Sequence, residues 1–539
     1  MRKLLLAAAA LLSTPVAAQP TAPPKLIVAI SVDQLPSDLF EQYRPMLTGG
    51  LARLAREGTL FVNGYQSHAA TETCPGHSTL LTGRHPAGTG IIANSWIDQK
   101  VSRADKNVYC AEDENAPGST YANYRVSPFH LNVPTLGDRL KAANPRSRNV
   151  AVAGKDRAAV MMSGRSADQR WYWDGKSWVT DLTGKSPPRT ISALNQVFAA
   201  SLAAPSPALE LPPQCAARAK PYAVAPNLTV GAGRLERAAG DTRAVRAHPE
   251  FDGAVLAAGA GLIGELQLGR GPATDLLSLG LSATDYVGHS YGSGGSEMCL
   301  QMLALDRSLG DFFARLDSSG IDYAVVLSAD HGVMDIPERL RDQGVPEAVR
   351  ADPGLSAAEI GRLLEPTSGR QRPVLLGEAI GGDIWLDRDI PARDRPRLLR
   401  RAVERYRAHP QVHSVFTAEE LARTPLPTGA PDKWSVLQRV RASFDPARSG
   451  DFYVVLKPYV SPIARPSTGY TATHGTPWDY DRRVPVIFWR KGQAGAARSE
   501  AVGTVDILPT LEAMVGLPAP AVSGDGRCLQ GAAGVGCGR

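Results

Sequence analysis

Four short apolar runs, Leu26 to Val32, Asn149 to Ala153, Leu276 to Ser282 and Tyr323 to Ser328, are rich in Val, Ile and Leu and lack the polar alternation of a strand with one wet face. Runs of this kind belong to strands buried on both sides, the situation of a parallel sheet covered by helices. Helical stretches fall between them, at Leu51 to Glu57, Thr135 to Ala142 and Ser296 to Leu316. The alternation predicts an α/β fold with a mostly parallel central sheet and helices on both faces.

Two regions interrupt this rhythm and read as inserted cap elements over one sheet edge, at about 171–249 and 337–446. The first opens on the hairpin-like stretch Trp171 to Trp178 and continues through the Pro/Ala-rich stretch Pro205 to Pro226. The second is rich in Arg, Pro and Asp, with helix-like Ala357 to Leu364 and Arg397 to Arg407. Phe452 to Lys457 and Val484 to Trp489 then resume the strand pattern, and Thr504 to Val515 closes with a helix.

At the amino end, Arg2 and Lys3, the apolar run Leu4 to Leu12 and the small residues Val16-Ala17-Ala18 form the pattern of a cleaved secretory signal over residues 1–18. One catalytic domain is expected over 19–539, exported to the periplasm or secreted. No later run reaches the roughly 20 apolar residues of a membrane helix. The net charge of +6 is not gathered into basic blocks with interleaved aromatics, so no specific nucleic-acid binding is expected. Oligomeric state is not encoded in any visible pattern, and a monomer is the starting assumption. Six cysteines in an exported chain point to disulfides rather than to a metal cluster. Of the 15 possible connectivities, Cys74 with Cys110 and Cys215 with Cys299 are expected, with Cys528 and Cys537 placed to clip the tail.

The chemistry lies where aspartates meet strand ends. Asp33 follows the first run directly, Asp285 follows the third within three residues, and Asp330 follows the fourth. In open α/β sheets ligands bind at the carboxyl ends of strands, so these distant residues can converge. Histidines accompany them: His289 in Asp285-Tyr286-Val287-Gly288-His289, His331 beside Asp330, and His474 in Thr473-His474-Gly475. A single Asp at a strand end is ordinarily a cap or turn former. Three such carboxylates without compensation, however, would crowd like charge at one edge. Carboxylate oxygen and imidazole nitrogen in sets of three with one position open is the donor set of a catalytic zinc, and there are enough groups here for two.

The nucleophile is sought in Thr71-Glu72-Thr73-Cys74-Pro75-Gly76-His77-Ser78. Pro75 suits the first turn of a helix, which sets Thr73 at a helix amino terminus, where free N–H groups and the dipole favour a phosphoryl anion. A threonine hydroxyl needs a metal or a base to ionise it. Cys74 is the rival nucleophile; His77, His68 and His85 read as structural or supporting groups.

Together, Ser31-Val32-Asp33-Gln34, Thr73-Cys74-Pro75-Gly76-His77, Asp285 to His289, Ser328-Ala329-Asp330-His331-Gly332 and Thr473-His474-Gly475 resemble the alkaline phosphatase superfamily, in particular its exported bacterial phosphatases with a threonine nucleophile. The resemblance implies an alkaline phosphatase-like fold and two Zn2+ ions, one held by Asp285, His289 and His474, the other by Asp33, Asp330, His331 and the Thr73 oxygen. It further implies that Asn94 and the pair Lys155 and Arg157 contact the phosphoryl oxygens. Small phosphate monoesters are then hydrolysed through a phosphothreonine, with slower cleavage of diesters. A sulfatase would need Cys or Ser at position 73. A phosphodiesterase or nucleotide pyrophosphatase of the same superfamily remains an alternative, as does a zinc-dependent protein that only captures phosphorylated ligands.

Overall fold

The computed structural model describes residues 22–368, 373–377, 379–518 and 524–538; the signal-like residues 1–18 lie outside them. Ten strands form the central sheet. In chain order they are β1 (Leu26–Val32), β2 (Thr59–Tyr65), β3 (Asn149–Ala153), β4 (Gln169–Trp173), β5 (Trp178–Val179), β6 (Asp275–Leu281), β7 (Tyr323–Ser328), β8 (Arg483–Arg490), β9 (Ala496–Arg498) and β10 (Val502–Gly503). Across the sheet the order is β9-β2-β8-β7-β1-β6-β3-β4-β5, with β10 also on β2. From β7 to β4 all neighbours run parallel. The exceptions are β8, antiparallel to both β7 and β2, and β5, which folds back on β4. The expected mostly parallel α/β architecture is what forms.

The two-sided burial inferred from the apolar runs is explicit. Leu26, Val28, Ile30 and Val32 of β1 join one core with Leu277, Leu279 and Leu281 of β6. Ile27 and Ala29 face the other way, into a second core with Val486, Phe488 and Leu511. Each fully buried Val, Leu or Ile contributes roughly 1.5–3 kcal/mol over its exposed state. A one-residue slip would exchange the faces of the strand and carry Ser31 and Asp33 with it. Register therefore fixes the site as well as the core: Val32 pairs with Leu281 and Ser31 with Ser328, so the strand ends that carry Asp33, Asp285 and Asp330 are level.

Helix boundaries follow local chemistry. The expected helix from Thr135 spans Leu136–Ala143, because the Thr135 side chain accepts from Asp138 N–H and caps the helix from outside. The segment opening at Trp171, read from sequence as insertion, begins instead with β4 and β5 of the central sheet. Its aromatic residues are core groups, Trp173 and Trp178 packing with Phe198 and Phe251.

Phe452–Leu456 resumes the strand pattern, but in a second sheet. That sheet has four strands, ordered Leu375–Leu376, Gly382–Leu386, Phe452–Leu456, Val412–Thr417. It carries its own core, with Ile384, Leu398, Tyr406 and Phe452. The main sheet is rejoined only at β8. The three expected disulfides are present: Cys74–Cys110, Cys215–Cys299 and Cys528–Cys537. Among the described residues no helix is long and apolar enough to cross a membrane.

Candidate active site

Asp33, Asp285, Asp330 and His331 are buried at the carboxyl edge of the sheet, each at the end of its strand or in the turn after it. His289 lies one helical turn beyond Asp285 on Ala283–Tyr291, so their side chains share a face and His289 Nε2 stands 3.3 Å from Asp285 Oδ1. His474 Nε2 approaches the same oxygen at 3.5 Å and His331 Nε2 at 3.9 Å. His331 Nε2 also lies 3.2 Å from Asp330 Oδ2. Five of the seven residues expected to hold metal, Asp285, His289, His474, Asp330 and His331, thus meet in one place.

Their hydrogen bonds set the tautomers. His289 Nδ1 is 2.7 Å from the Ala472 carbonyl, His474 Nδ1 is 2.7 Å from the Thr71 carbonyl, and His331 Nδ1 is 3.0 Å from the Gly332 carbonyl. A carbonyl only accepts, so each neutral ring keeps its proton on Nδ1 and turns a bare Nε2 inward. Burial, reinforced by the His331 ring stacked on it at 3.4 Å, pushes His474 down to about 3 and keeps it neutral. Burial alone would raise Asp285, but His289 and Lys155 outweigh it and hold this carboxyl well below the usual range. His331 and His77 do the same for Asp330.

His77 was read from sequence as a supporting residue, and the structure places it inside the cluster. It lies one turn after Thr73 on the helix Thr73–Leu80, with Nδ1 2.9 Å from the Thr73 carbonyl. Its Nε2 is 3.3 Å from Asp33 Oδ1, and its Nδ1 is 3.3 Å from Asp330 Oδ2. Burial would lower its pKa, yet Asp330 and Asp33 push it up to about 10. Two donor groups of metal-holding geometry result: Asp285, His289 and His474, and Asp33, His77 and Asp330. His331 stands between them. The i,i+4 spacing of Thr73 and His77 was the available signal.

The donor set fits a cation on its unsatisfied atoms. Asp33 Oδ1, Asp285 Oδ1, Asp330 Oδ2 and His331 Nε2 are buried without a hydrogen-bond partner. Buried polar atoms are ordinarily paired, and an orphaned cluster of acceptors calls for an ion. Lys155 supplies one positive charge, its Nζ 2.5 Å from Asp285 Oδ2 and 3.0 Å from Asp33 Oδ2. Even with the His77 imidazolium, one ammonium does not balance three carboxylates.

Thr73 is buried at the edge of this cluster, and its Oγ1 lies 3.4 Å from an Arg157 guanidinium nitrogen. Tyr109 also meets Arg157, at 3.4 Å. The helix amino terminus differs from expectation. Cys74 N–H is donated to Asn94 Oδ1 at 2.8 Å, Gly76 N–H to the Glu72 carbonyl, and Pro75 has none, so these positions do not present free donors to an anion. The same bond orients Asn94: with Oδ1 engaged, Nδ2 is the group left to donate. Cys74 is committed to its disulfide, which removes it as a nucleophile. His68 and His85 are buried and neutral, lowered first by burial.

Residues 27–477 match the family described as Type I phosphodiesterase / nucleotide pyrophosphatase. The chain belongs to this family, within the alkaline phosphatase superfamily. The chain is 52% identical to alkaline phosphatase PhoK of Sphingomonas sp over 514 residues, covering 95% of this chain and 92% of that one. It is 46% identical to alkaline phosphatase PhoD of Zymomonas mobilis over 521 residues, covering 96% and 90%. In fold it is similar to the crystal structure of wild-type alkaline phosphatase PafA, with a TM-score of 0.82 at 24% identity, covering 95% of this chain and 100% of that one. This member of the family is a metal-binding hydrolase of alkaline phosphatase type.

Proposed function

We propose that this phosphatase hydrolyses small phosphate monoesters through a phosphothreonine at Thr73, using two Zn2+ ions. The observation that carries the reading is a single hydroxyl, Thr73 Oγ1, held beside the Arg157 guanidinium at the rim of the buried, unpartnered acid and imidazole groups. Asp285, His289 and His474 would hold one ion, and Asp33, Asp330 and His331, with the Thr73 oxygen, the other. His77 is placed to share or orient this second set. Bound zinc supplies Lewis acidity, lowering the pKa of the threonine hydroxyl and of the hydrolytic water and offsetting oxyanion charge.

The chain's own groups do the rest. Thr73 Oγ1 forms a bond to phosphorus as the P–O bond to the leaving alcohol breaks; water then cleaves the phosphothreonine and restores the hydroxyl with release of inorganic phosphate. Arg157 and Asn94 Nδ2 donate to the non-bridging oxygens. Lys155, once Asp33 and Asp285 are neutralised by ligation, is free to do the same. Lys155 and Arg157 together match the two charges of a monoester dianion. A diester carries one charge and a second substituent, so its cleavage is slower. The family description keeps phosphodiester and pyrophosphate cleavage as the second reading.

The export signal read in residues 1–18 and the three disulfides support action outside the cytoplasm. The test is turnover of matched monoester, diester and sulfate ester by the purified protein and by Thr73→Ala, with bound metal measured in each. The expected result is metal retained and monoester turnover lost in Thr73→Ala, by 10³-fold or more on the scale of a lost nucleophile. Undiminished turnover in that variant overturns the assignment.

A further inference from the structure

Beside Lys155 and Arg157 opens a cavity of about 1010 Å³, walled in part by Tyr124, Tyr172, Tyr286 and Arg246. Arg246, on the short helix Ala244–Ala247, lays its guanidinium over the Tyr286 ring at 4.7 Å. Lys155 Nζ lies 5.1 Å from the same ring centroid. Two positive groups therefore sit on one aromatic ring, no more than about 10 Å apart.

Acidic residues in the wall are already engaged. Asp156 accepts from the Tyr109 and Tyr124 hydroxyls, Asp181 is paired with Arg170, Asp174 takes the backbone N–H groups of Lys176 and Ser177, and Asp113 takes Asn115 N–H. Arg246 has no hydrogen bond or ion pair among the described residues, and its buried Nε is unpartnered. A guanidinium kept rigid over an aromatic face, with its donors unused and no carboxylate to answer it, is organised for an anion arriving from outside.

We propose that Arg246, stacked on Tyr286, is a specificity residue that binds a second phosphate group on the leaving alcohol, so that small bisphosphorylated compounds are preferred over simple monoesters. This rests on the monoesterase reading above. The spacing limits the choice: with one phosphate held by Lys155 and Arg157, the second group must be reached within about 10 Å, which suits a short polyol and excludes long or polymeric substrates. Arg157, not Arg246, bonds the Thr73 hydroxyl among the described residues, so on this proposal loss of Arg246 is confined to substrates that carry the second anion.

The test compares propanediol bisphosphate with propyl phosphate by phosphate release, using the zinc-loaded wild-type protein, Arg246→Gln and Arg246→Lys. The wild type is expected to show kcat/KM at least tenfold higher for the bisphosphate in low salt, with the ratio collapsing at high ionic strength. Arg246→Gln should lose about tenfold or more on the bisphosphate, mainly through KM, and less than twofold on propyl phosphate. Arg246→Lys should retain part of the preference. A wild type that treats both esters alike, or variants whose losses are equal on the two, overturns the subsite. Failure of the wild type on propyl phosphate and on every other monoester would instead overturn the monoesterase reading.

Discussion

Lys155 and Arg157 hold their positions for different reasons, and this gives them separable consequences. Among the described residues the Arg157 guanidinium has no carboxylate partner and lies against Thr73 and Tyr109, whereas Lys155 is locked between Asp33 and Asp285. If both meet the phosphoryl dianion, Lys155→Ala with Arg157→Ala should cut monoester kcat/KM by about 10²-fold or more and diester kcat/KM by under tenfold, since each charge-assisted contact is worth about 1.5–3 kcal/mol. Equal losses in parallel assays would defeat the charge-matching argument. Elsewhere, burial pushes Asp252 up to about 7, even though Ala283 N–H and Gln301 donate to it. Its unfolded pKa is near 3.9. Between these values the folded chain holds a proton the unfolded chain has released, so stability is full below about pH 4, falls as pH rises to about 7, and is level above. Asp252→Asn should therefore raise Tm at pH 8, with the gain shrinking toward pH 4, Gln301 turning its unpartnered Oε1 to the new amide. Most of the proposed donor set was readable at this scale because the aspartates stand at fixed offsets from apolar runs. His77 was not, since a histidine inside a helix is ordinarily structural and only the fold shows Asp33 and Asp330 against it.

Elements bring these residues together, and here the sequence was less complete. His474 precedes β8, and a strand's amino end reaches the carboxyl edge of its neighbours only if it runs antiparallel to them, as β8 does. Apolar patterning is blind to strand direction, so the convergence of His474 could be expected from the motif but not from the strand pattern. The four-stranded second sheet was illegible for a related reason: Phe452–Leu456 has the apolar pattern of a central strand and is buried in a different core. The contact between the Thr73–Leu80 helix and the Asp330 turn makes a sharper demand. A Cβ on Gly76 would lie 2.0 Å from the Asp330 carbonyl oxygen, a backbone atom that cannot move without dragging its carboxylate. Gly76→Ala should separate the helix from the turn and lower both bound metal and turnover, by about 10²-fold for an ångström-scale misplacement. Metal content measured alongside kcat decides it, and a fully metallated, fully active variant would refute the coupling. The Cys74–Cys110 bridge anchors the same helix to the turn that follows the strand Asn107–Tyr109.

For the molecule as a whole, the parallel sheet that aligns its strand ends also concentrates negative charge at one edge, and the fold must answer that charge. In the protein without metal, Lys155 answers part of it, buried and bridging Asp285 and Asp33. Cations that bind the folded site and not the unfolded chain stabilise by mass action, about 2.7 kcal/mol for each site at a hundredfold excess over Kd. Rigorous chelation should therefore lower Tm by about 5 °C or more. The bridging ammonium and a metal ion answer the charge of the same two carboxylates, so Lys155→Met should act in opposite directions on the two states. Its metal-free form should melt below the metal-free wild type, because two buried carboxylates lose the ammonium that bridges them, while calorimetric titration should show zinc bound several-fold more tightly. Thermal melts with and without chelator give the first quantity independently of activity. An unchanged metal-free Tm, or weaker zinc binding in the variant, would mean that Lys155 is a bystander and that the sheet edge tolerates its charges by other means.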